Sequence, residues 1–237
     1  GNSRIVNGTV DIGAYEFGGT TCTNDTILFV DIDAVGQNDG SSWENAFTDL
    51  HDALAEARNC EVVKEIWVAE GTYQTTTNKD EEISFELVSG VKMYGGFNGT
   101  EIILDDRNWI SYPVTLTGHG GQFTIDRIIK GNNLDSNTVI DGFIISEGYN
   151  DHGDYDVDSV LTGNEKLGAG MFLVNNQPGR VSKPFILNCV FEGNMTYHQD
   201  GAAINLYRVY PVIENCSFLG NFSDEDAGAI YAVGNDS

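Results

Sequence analysis

Two stretches of this sequence repeat each other without a gap at a spacing of 27 residues. The run Pro184-Phe-Ile-Leu-Asn-Cys-Val-Phe-Glu-Gly-Asn194 aligns with the run Pro211-Val-Ile-Glu-Asn-Cys-Ser-Phe-Leu-Gly-Asn221. Each run leads through a small-residue step into an apolar stretch, at residues 201–204 and 227–230. A period of this length, with short apolar strands separated by Asn or Gly, is typical of one coil of a parallel β-helix.

Equivalent positions of neighbouring coils stack about 4.8 Å apart in such a fold, so like residues form ladders. The repeat predicts three ladders, namely Asn188 over Asn215, Cys189 over Cys216, and Phe191 over Phe218. We expect the asparagines to face inward and to hydrogen-bond along the axis at a corner, while the phenylalanines stack in the core. A weaker third copy runs from residues 139–144, through an insertion, to residues 168–171.

Residues 41–58 carry apolar side chains at helical spacing, and Ser41 with Glu44 has the form of a capping box. The pattern predicts a helix over about 41–58, with coils over about 62–237. Because a solenoid must cover its apolar interior at an exposed end, we expect this helix to be the cap. An ordinary βαβ crossover is the alternative, but no further helical pattern alternates with the strands downstream.

Several runs resemble the opening of bacterial pectate-lyase-like β-helix surface proteins. These runs are Phe29-Val-Asp-Ile-Asp-Ala-Val-Gly-Gln-Asn-Asp-Gly-Ser-Ser-Trp43, Ala46-Phe47, Glu65-Ile-Trp-Val-Ala-Glu-Gly-Thr-Tyr73, Gly95-Gly-Phe97 and Leu104-Asp-Asp-Arg-Asn-Trp109. The later Asn-Cys-x-Phe and Gly-Ala-Ile runs resemble the repeats of the polymorphic outer-membrane protein class. The resemblance covers most of the chain. It implies an all-β fold, a right-handed parallel β-helix solenoid with a short N-terminal capping α-helix.

The run Asn7-Gly-Thr-Val-Asp-Ile-Gly-Ala-Tyr-Glu-Phe17 resembles the motif that closes such domains, yet it precedes the opening motif. We therefore expect residues 1–17 to end a preceding β-helix domain and residues 18–25 to be a linker. Residues 26–237 would form the next β-helix domain, cut short, with an acidic loop insertion at 151–166. Neighbouring domains of one long polypeptide are then the first expected partners.

The charge balance is strongly acidic, with 12 Lys and Arg against 36 Asp and Glu and a formal net charge of -24. Such a field repels nucleic acid and anionic lipid, so direct binding to either is not expected. The sequence contains no apolar run of about 18 residues, the length that predicts a membrane span. With the resemblance, these features predict an extracellular or bacterial cell-surface protein.

The four cysteines fall into two predicted pairs. Cys189 and Cys216 are expected to be stacked free thiols, because neighbouring parallel rungs rarely offer the torsion of a disulfide. Cys22 in the linker and Cys60 after the helix are candidates for a disulfide at the junction, which an extracellular setting permits.

Calcium is the one cofactor that the sequence suggests. The insertion places carboxylates at positions 1, 3, 5 and 12 of an EF-hand-like loop, namely Asp154, Asp156, Asp158 and Glu165. Position 6 is Ser159 instead of the usual Gly, and a plain acidic surface loop is the alternative. A second, weaker group of oxygen ligands consists of Asp31, Asp33, Asn38 and Asp39.

The resemblance implies a structural or adhesive segment of a large surface protein, such as a tandem stalk, an adhesin or an extracellular appendage subunit. The alternative is a polysaccharide-binding or polysaccharide-degrading β-helix of the lyase or glycosidase type. Possible catalytic groups are Asp105, Asp106, Arg107 and His152. We expect Arg107 to pair structurally with a neighbouring acid, and we assign no catalytic residue.

An adhesin would recognise its target with exposed aromatic rings, which stack on sugars. The candidates in or near predicted loops and corners are Tyr149, Tyr155, Tyr197, Tyr207 and Tyr210. Cell-surface glycans or proteins are therefore possible partners, as are other copies of the chain in a fibre or oligomer.

Overall fold

A computed structural model describes residues 22, 25–76, 82–118, 125–151, 168–177, 179–198 and 200–234, with the backbone of Ile5–Val6 and Thr9–Val10. Within this part the fold is all-β except for one α-helix and one short 3-10 helix. Its four larger sheets are parallel. Among these described residues, no helix has both the length and the apolar character needed to cross a membrane.

The strands fall into four parallel sheets and one hairpin. The first sheet contains β3 (Ile27–Val30), β4 (Glu65–Ala69), β7 (Lys92–Phe97), β10 (Val139–Asp141), β14 (Phe185–Leu187) and β18 (Val212–Glu214). The second contains β5 (Gly71–Gln74), β8 (Val114–Thr117), β11 (Phe143–Ser146), β15 (Val190–Glu192) and β19 (Ser217–Leu219). The third contains β6 (Phe85–Glu86), β9 (Ile129–Asn132), β13 (Met171–Val174), β17 (Ile204–Tyr207) and β21 (Ile230–Val233). The short sheet contains β12 (Tyr149–Asn150), β16 (Met195–Thr196) and β20 (Phe222–Ser223), and the antiparallel hairpin contains β1 (Ile5–Val6) and β2 (Thr9–Val10).

The described chain visits the sheets in a constant order. From β4 to β21, every pass runs through the first, second and third sheets in turn. From β10 onward, each pass also adds a strand to the short sheet, between the second and the third. Each strand pairs with its counterpart from the preceding pass, so equivalent side chains of successive passes become neighbours.

The pairing of the last two passes follows the sequence repeat. Ile186 aligns with Ile213, and Phe191 aligns with Phe218. The two phenylalanine rings are stacked, with centroids 5.3 Å apart and planes 8° from parallel. The register that the 27-residue spacing predicts is therefore confirmed.

The predicted asparagine ladder forms, but its predicted direction is wrong. Nδ2 of Asn215 donates to Oδ1 of Asn188 at 2.6 Å, and both residues have left-handed backbone conformations at a corner, with φ of 53° and 51°. Asn215 is exposed, and Asn188 is only half-buried and donates from Nδ2 to Oδ1 of Asp141, which is paired with Arg107. Within the repeated run 184–194 the buried asparagine is instead Asn194, which donates from Nδ2 to Oδ1 of Asn221 at 2.9 Å and to the carbonyl of Ile145 at 3.0 Å.

The α-helix, α1, spans Leu50–Asn59. Its N-cap is Asp49, whose Oδ1 accepts a hydrogen bond from the backbone N–H of His51 at 2.8 Å. One face of α1 is buried in the main core, through Leu50, Ala53, Leu54 and Ala57. The same core receives side chains from strands of all three long sheets, including Leu28, Leu116 and Phe85.

The predicted helix start at residue 41 is wrong. Residues 40–47 are not helical, because their backbone hydrogen-bonds to the edge of β3 instead. The N–H of Phe29 donates to the carbonyl of Gly40 at 3.0 Å, and the N–H of Phe47 donates to the carbonyl of Phe29 at 2.9 Å. Gly40 has a φ of 73°, which turns the chain back along the strand. Ser41 therefore has no capping role, and α1 begins only after this segment ends.

The predicted pairing of Cys22 with Cys60 is confirmed. Cys22 and Cys60 are bonded, with their Cα atoms 5.4 Å apart. Cys60 directly follows α1 and is buried, so the bond ties residue 22 to the end of the helix.

Candidate functional site

Arg107, one of the possible catalytic groups, is held in a buried ion pair. Its guanidinium donates to Oδ2 of Asp141 at 2.6 Å, and the two side chains are 9% and 7% exposed. It also donates to the carbonyl of Gly95 at 3.1 Å and lies 5.0 Å from the ring centroid of Tyr94 and 4.9 Å from that of Trp109. The prediction that Arg107 pairs structurally with an acid is confirmed.

The neighbouring carboxylates do not join this pair. Asp105 and Asp106 lie in the 3-10 helix Leu104–Asp106 and are exposed. The second oxygen of Asp141, Oδ1, instead accepts a hydrogen bond from Nδ2 of Asn188 at 2.7 Å. Arg107, Asp141 and Asn188 therefore form a structural tie across successive strands of the first sheet.

The predicted calcium ligands Asp154, Asp156, Asp158 and Glu165 lie outside the described residues, as does His152. Calcium binding there stays a prediction. In the second oxygen-rich group, two carboxylates form hydrogen bonds within their own loop. Oδ1 of Asp31 accepts from the N–H of Asp33, and Oδ1 of Asp39 accepts from the N–H of Ser41. The part of the chain that the structure describes brings together no group of three His, Cys, Asp or Glu side chains able to hold a metal ion.

Cys189 and Cys216 are free thiols on adjacent rungs, as predicted. Cys189 is fully buried, and burial raises the pKa of its thiol well above the ordinary value. The pKa of Cys216 is lowered to about 7, chiefly by its interaction with the side chain of Cys189. The pair therefore contains one partly exposed thiol with a lowered pKa and one buried thiol with a raised pKa.

We expect iodoacetamide to modify Cys216 before Cys189. Because the thiolate is the nucleophile, the alkylation rate of Cys216 should rise as the pH increases through about 7. Site-resolved mass spectrometry over a pH series measures both rates. In the variant Cys189→Ala the side chain that lowers the pKa of Cys216 is lost, so the midpoint should move up toward the ordinary value of 9.0. Equal labelling of both thiols in the folded protein, or an unchanged midpoint in the variant, would contradict this arrangement.

An open hollow of about 470 Å³ lies beside the start of α1, lined by Ile32, Thr48, Asp49, Thr72, Tyr73 and Gln74. The hydroxyl of Tyr73 donates to the carbonyl of Ala69 at 3.1 Å and accepts from the N–H of Ile32 at 3.3 Å. Burial raises the pKa of Tyr73, which stays protonated at neutral pH. The hydroxyl of Tyr73 therefore has a structural role beside this hollow.

The short sheet carries apolar side chains on its outer face. Its pairing aligns Tyr149 with Met195, and Met195 with Phe222. Successive side chains of a strand point to opposite faces, and the adjacent Asn150 and Thr196 are fully buried. Tyr149, Met195 and Phe222 therefore point outward, and Phe222 is 44% exposed.

Tyr197 lies at the centre of this face. Its backbone N–H donates to the carbonyl of Asn150 at 2.8 Å, so parallel pairing continues just beyond β16. Its ring centroid is 5.7 Å from that of Tyr149 and 5.7 Å from that of Phe222, with the planes tilted by 48° and 53°. Rings from three successive passes are thus in contact along the sheet. We call Tyr149, Met195, Tyr197 and Phe222 the aromatic strip.

Carboxylates flank the central ring of the aromatic strip. Asp151 and Asp224 occupy the positions in register with Tyr197, on the rungs before and after it. Asp224 accepts a hydrogen bond from the backbone N–H of His198 at 2.6 Å, and its Oδ2 lies 3.8 Å from Nδ1 of the His198 ring. Desolvation raises the pKa of Tyr149, and the negative charge of Asp151 raises it further.

Two of the five tyrosines proposed from sequence therefore meet in one site. Tyr207 instead packs beside Phe172 on the third sheet, Tyr210 lies at the corner between the third and first sheets, and Tyr155 is outside the described residues. Met195 and Phe222 are the members of the aromatic strip that the sequence analysis missed. The repeat contains the signal for them, because Asn-Met-Thr at 194–196 aligns with Asn-Phe-Ser at 221–223.

Comparisons of the chain with protein-family models, with curated proteins and with solved structures give no match. The resemblance to β-helix surface proteins therefore stays a prediction.

Proposed function

We propose that this chain is a segment of a right-handed parallel β-helix that acts as a structural and adhesive element of an extracellular or bacterial cell-surface protein. Neighbouring β-helix domains of the same polypeptide would extend the scaffold on which the adhesive surface is displayed. In this proposal the adhesive surface is the aromatic strip.

The observation that carries the proposal is the constant order in which the chain visits its parallel sheets. Each pass places equivalent residues one rung further along, so a coiled solenoid is the simplest path that satisfies every pairing. Such a scaffold presents surface side chains in rows at a regular spacing of about 4.8 Å. Rows of this kind suit attachment to extended or repetitive partners.

The disulfide supports a location outside the cell. The bond between Cys22 and Cys60 is of the kind that persists in oxidising compartments, where secreted proteins reside. The net charge of -24 favours solubility and disfavours adhesion to polyanions such as nucleic acid. The aromatic strip, by contrast, offers apolar contact within this acidic surface.

Beads coated with the purified chain are expected to attach to cell layers or polysaccharide films and to resist detachment under flow. Beads coated with an unrelated acidic protein of similar net charge are the control for charge, and beads coated with the heat-unfolded chain are the control for the fold. The measurement is the fraction of beads retained as the shear increases. Retention no better than both controls on every surface would refute the adhesive role.

A further inference from the structure

Three aromatic rings of the aromatic strip come from three successive passes of the chain. Tyr149 belongs to β12, Tyr197 follows β16 and Phe222 belongs to β20. Since each pass advances one rung, the rings follow one another across the short sheet in a staggered row, with Tyr197 two residues further along its strand than the position in register with Tyr149 and Phe222. A staggered row suits an extended ligand that contacts one ring after another.

The polar groups beside the rings narrow the chemistry of that ligand. Asp151 and Asp224 are hydrogen-bond acceptors when ionised, and they lie on either side of Tyr197. A ligand with many hydroxyl donors can satisfy them while its apolar faces cover the rings. His198 adds a further polar group, 62% exposed, at the same margin.

We propose that the aromatic strip binds an uncharged glycan of pyranose rings, laid along the row from Tyr149 through Tyr197 to Phe222. This inference rests on the adhesive function proposed above and names its ligand. The C–H faces of the sugar rings stack on the aromatic side chains, and the sugar hydroxyls donate to Asp151 and Asp224.

Charge excludes the other main class of polysaccharide. An anionic glycan would approach a surface of net charge -24 and meet two further carboxylates at the strip itself. A compact cation would gain from this field, but it is bound best by rings that surround it, and these rings lie in a row. An uncharged chain fits both the charge and the arrangement of the rings.

The test is a binding measurement on an array of immobilised neutral oligosaccharides of β-linked glucose, mannose or N-acetylglucosamine. Tyr197→Ala should weaken binding about 2- to 10-fold, because ring stacking contributes about 0.5–1.5 kcal/mol. Tyr197→Phe retains the ring and should bind nearly as the native chain does. If Tyr197→Ala fails to fold, Phe222→Ala tests the same loss of ring stacking at another position of the aromatic strip.

The matched control is Tyr210→Ala, which removes an exposed ring at the corner between the third and first sheets. It should leave glycan binding unchanged. Added salt should have little effect, since no charge pairing is involved. Three results would overturn the inference: no binding to any neutral glycan, binding that survives both Tyr197→Ala and Phe222→Ala, or binding only to polyamine probes that salt abolishes. In each case the bead assay still reports separately whether the chain is adhesive.

Discussion

Replacing Arg107 by methionine is expected to lower the free energy of unfolding by about 3–5 kcal/mol. The guanidinium lies 2.6 Å from Asp141, and both side chains are almost fully buried. Methionine preserves part of the apolar stem but leaves the carboxylate of Asp141 without its cation. The cost arises because a buried charge has then lost its partner and cannot regain water. Denaturant unfolding of the native and variant chains measures the difference.

Arg58→Met is the matched control, because it removes an arginine whose ion pair is exposed. Arg58 lies 3.0 Å from Glu86, with the two side chains 49% and 42% exposed, so its loss should cost no more than about 1 kcal/mol. The cost of Arg107→Lys in unfolding free energy should lie between those of Arg107→Met and Arg58→Met. Lysine keeps the charge but loses the stacking of the planar guanidinium on Tyr94 and Trp109. Equal costs for Arg107→Met and Arg58→Met would show that the buried tie does not stabilise the fold.

The spacing of the repeat was sufficient to predict how the last two passes pair. Phe191 and Phe218 stack because paired positions of the first, second and short sheets are 27 residues apart in the two copies. The same counting fails for earlier passes, where loops such as residues 98–112 and the insertion at 151–166 break the period. The partner of Asp141 shows this limit, because Arg107 comes from such a loop and follows no repeat.

The two errors in the fold prediction have physical causes. The helix start at residue 41 was predicted wrongly because helical spacing indicates only that apolar residues share a face. It does not show which part of the fold buries them. Trp43 packs against Phe29, at 4.7 Å between ring centroids, and its indole N–H donates to the carbonyl of Glu101 at 2.9 Å. The predicted inward direction of Asn215 is wrong because Asn188 and Asn215 are left-handed corner residues, whose side chains do not follow the alternation of strand residues.

The candidate site was predictable only in part. Tyr149 and Tyr197 were recognised as aromatic residues near loops, and Phe222 could have been added from its alignment with Met195. Their contact could not be derived, since Tyr149 and Tyr197 are separated by the insertion that hides the repeat. Only the parallel pairing of the short sheet shows that they share one outer face.

Phe191→Ala is expected to cost about 3–5 kcal/mol of unfolding free energy. The side chain is fully buried, with Ile145 in register on the preceding rung and Phe218 in register on the following one. Removing the ring of Phe191 leaves a cavity lined by Ile145 on one side and Phe218 on the other. The neighbouring rungs cannot close this cavity without disturbing their own strand pairing. Chemical unfolding of the two proteins under identical conditions measures this cost.

Phe218→Ala is the internal comparison, because it deletes the same side chain one rung later. Phe218 is only partly buried, so its loss should cost less, about 1–2 kcal/mol. Because the two rings stack on each other, the double variant should lose less than the sum of the single losses, by about 0.5–1.5 kcal/mol. Strict additivity would mean that the rings are not in contact. Since that contact depends on equivalent residues stacking from one pass to the next, additivity would also count against the scaffold on which the aromatic strip depends.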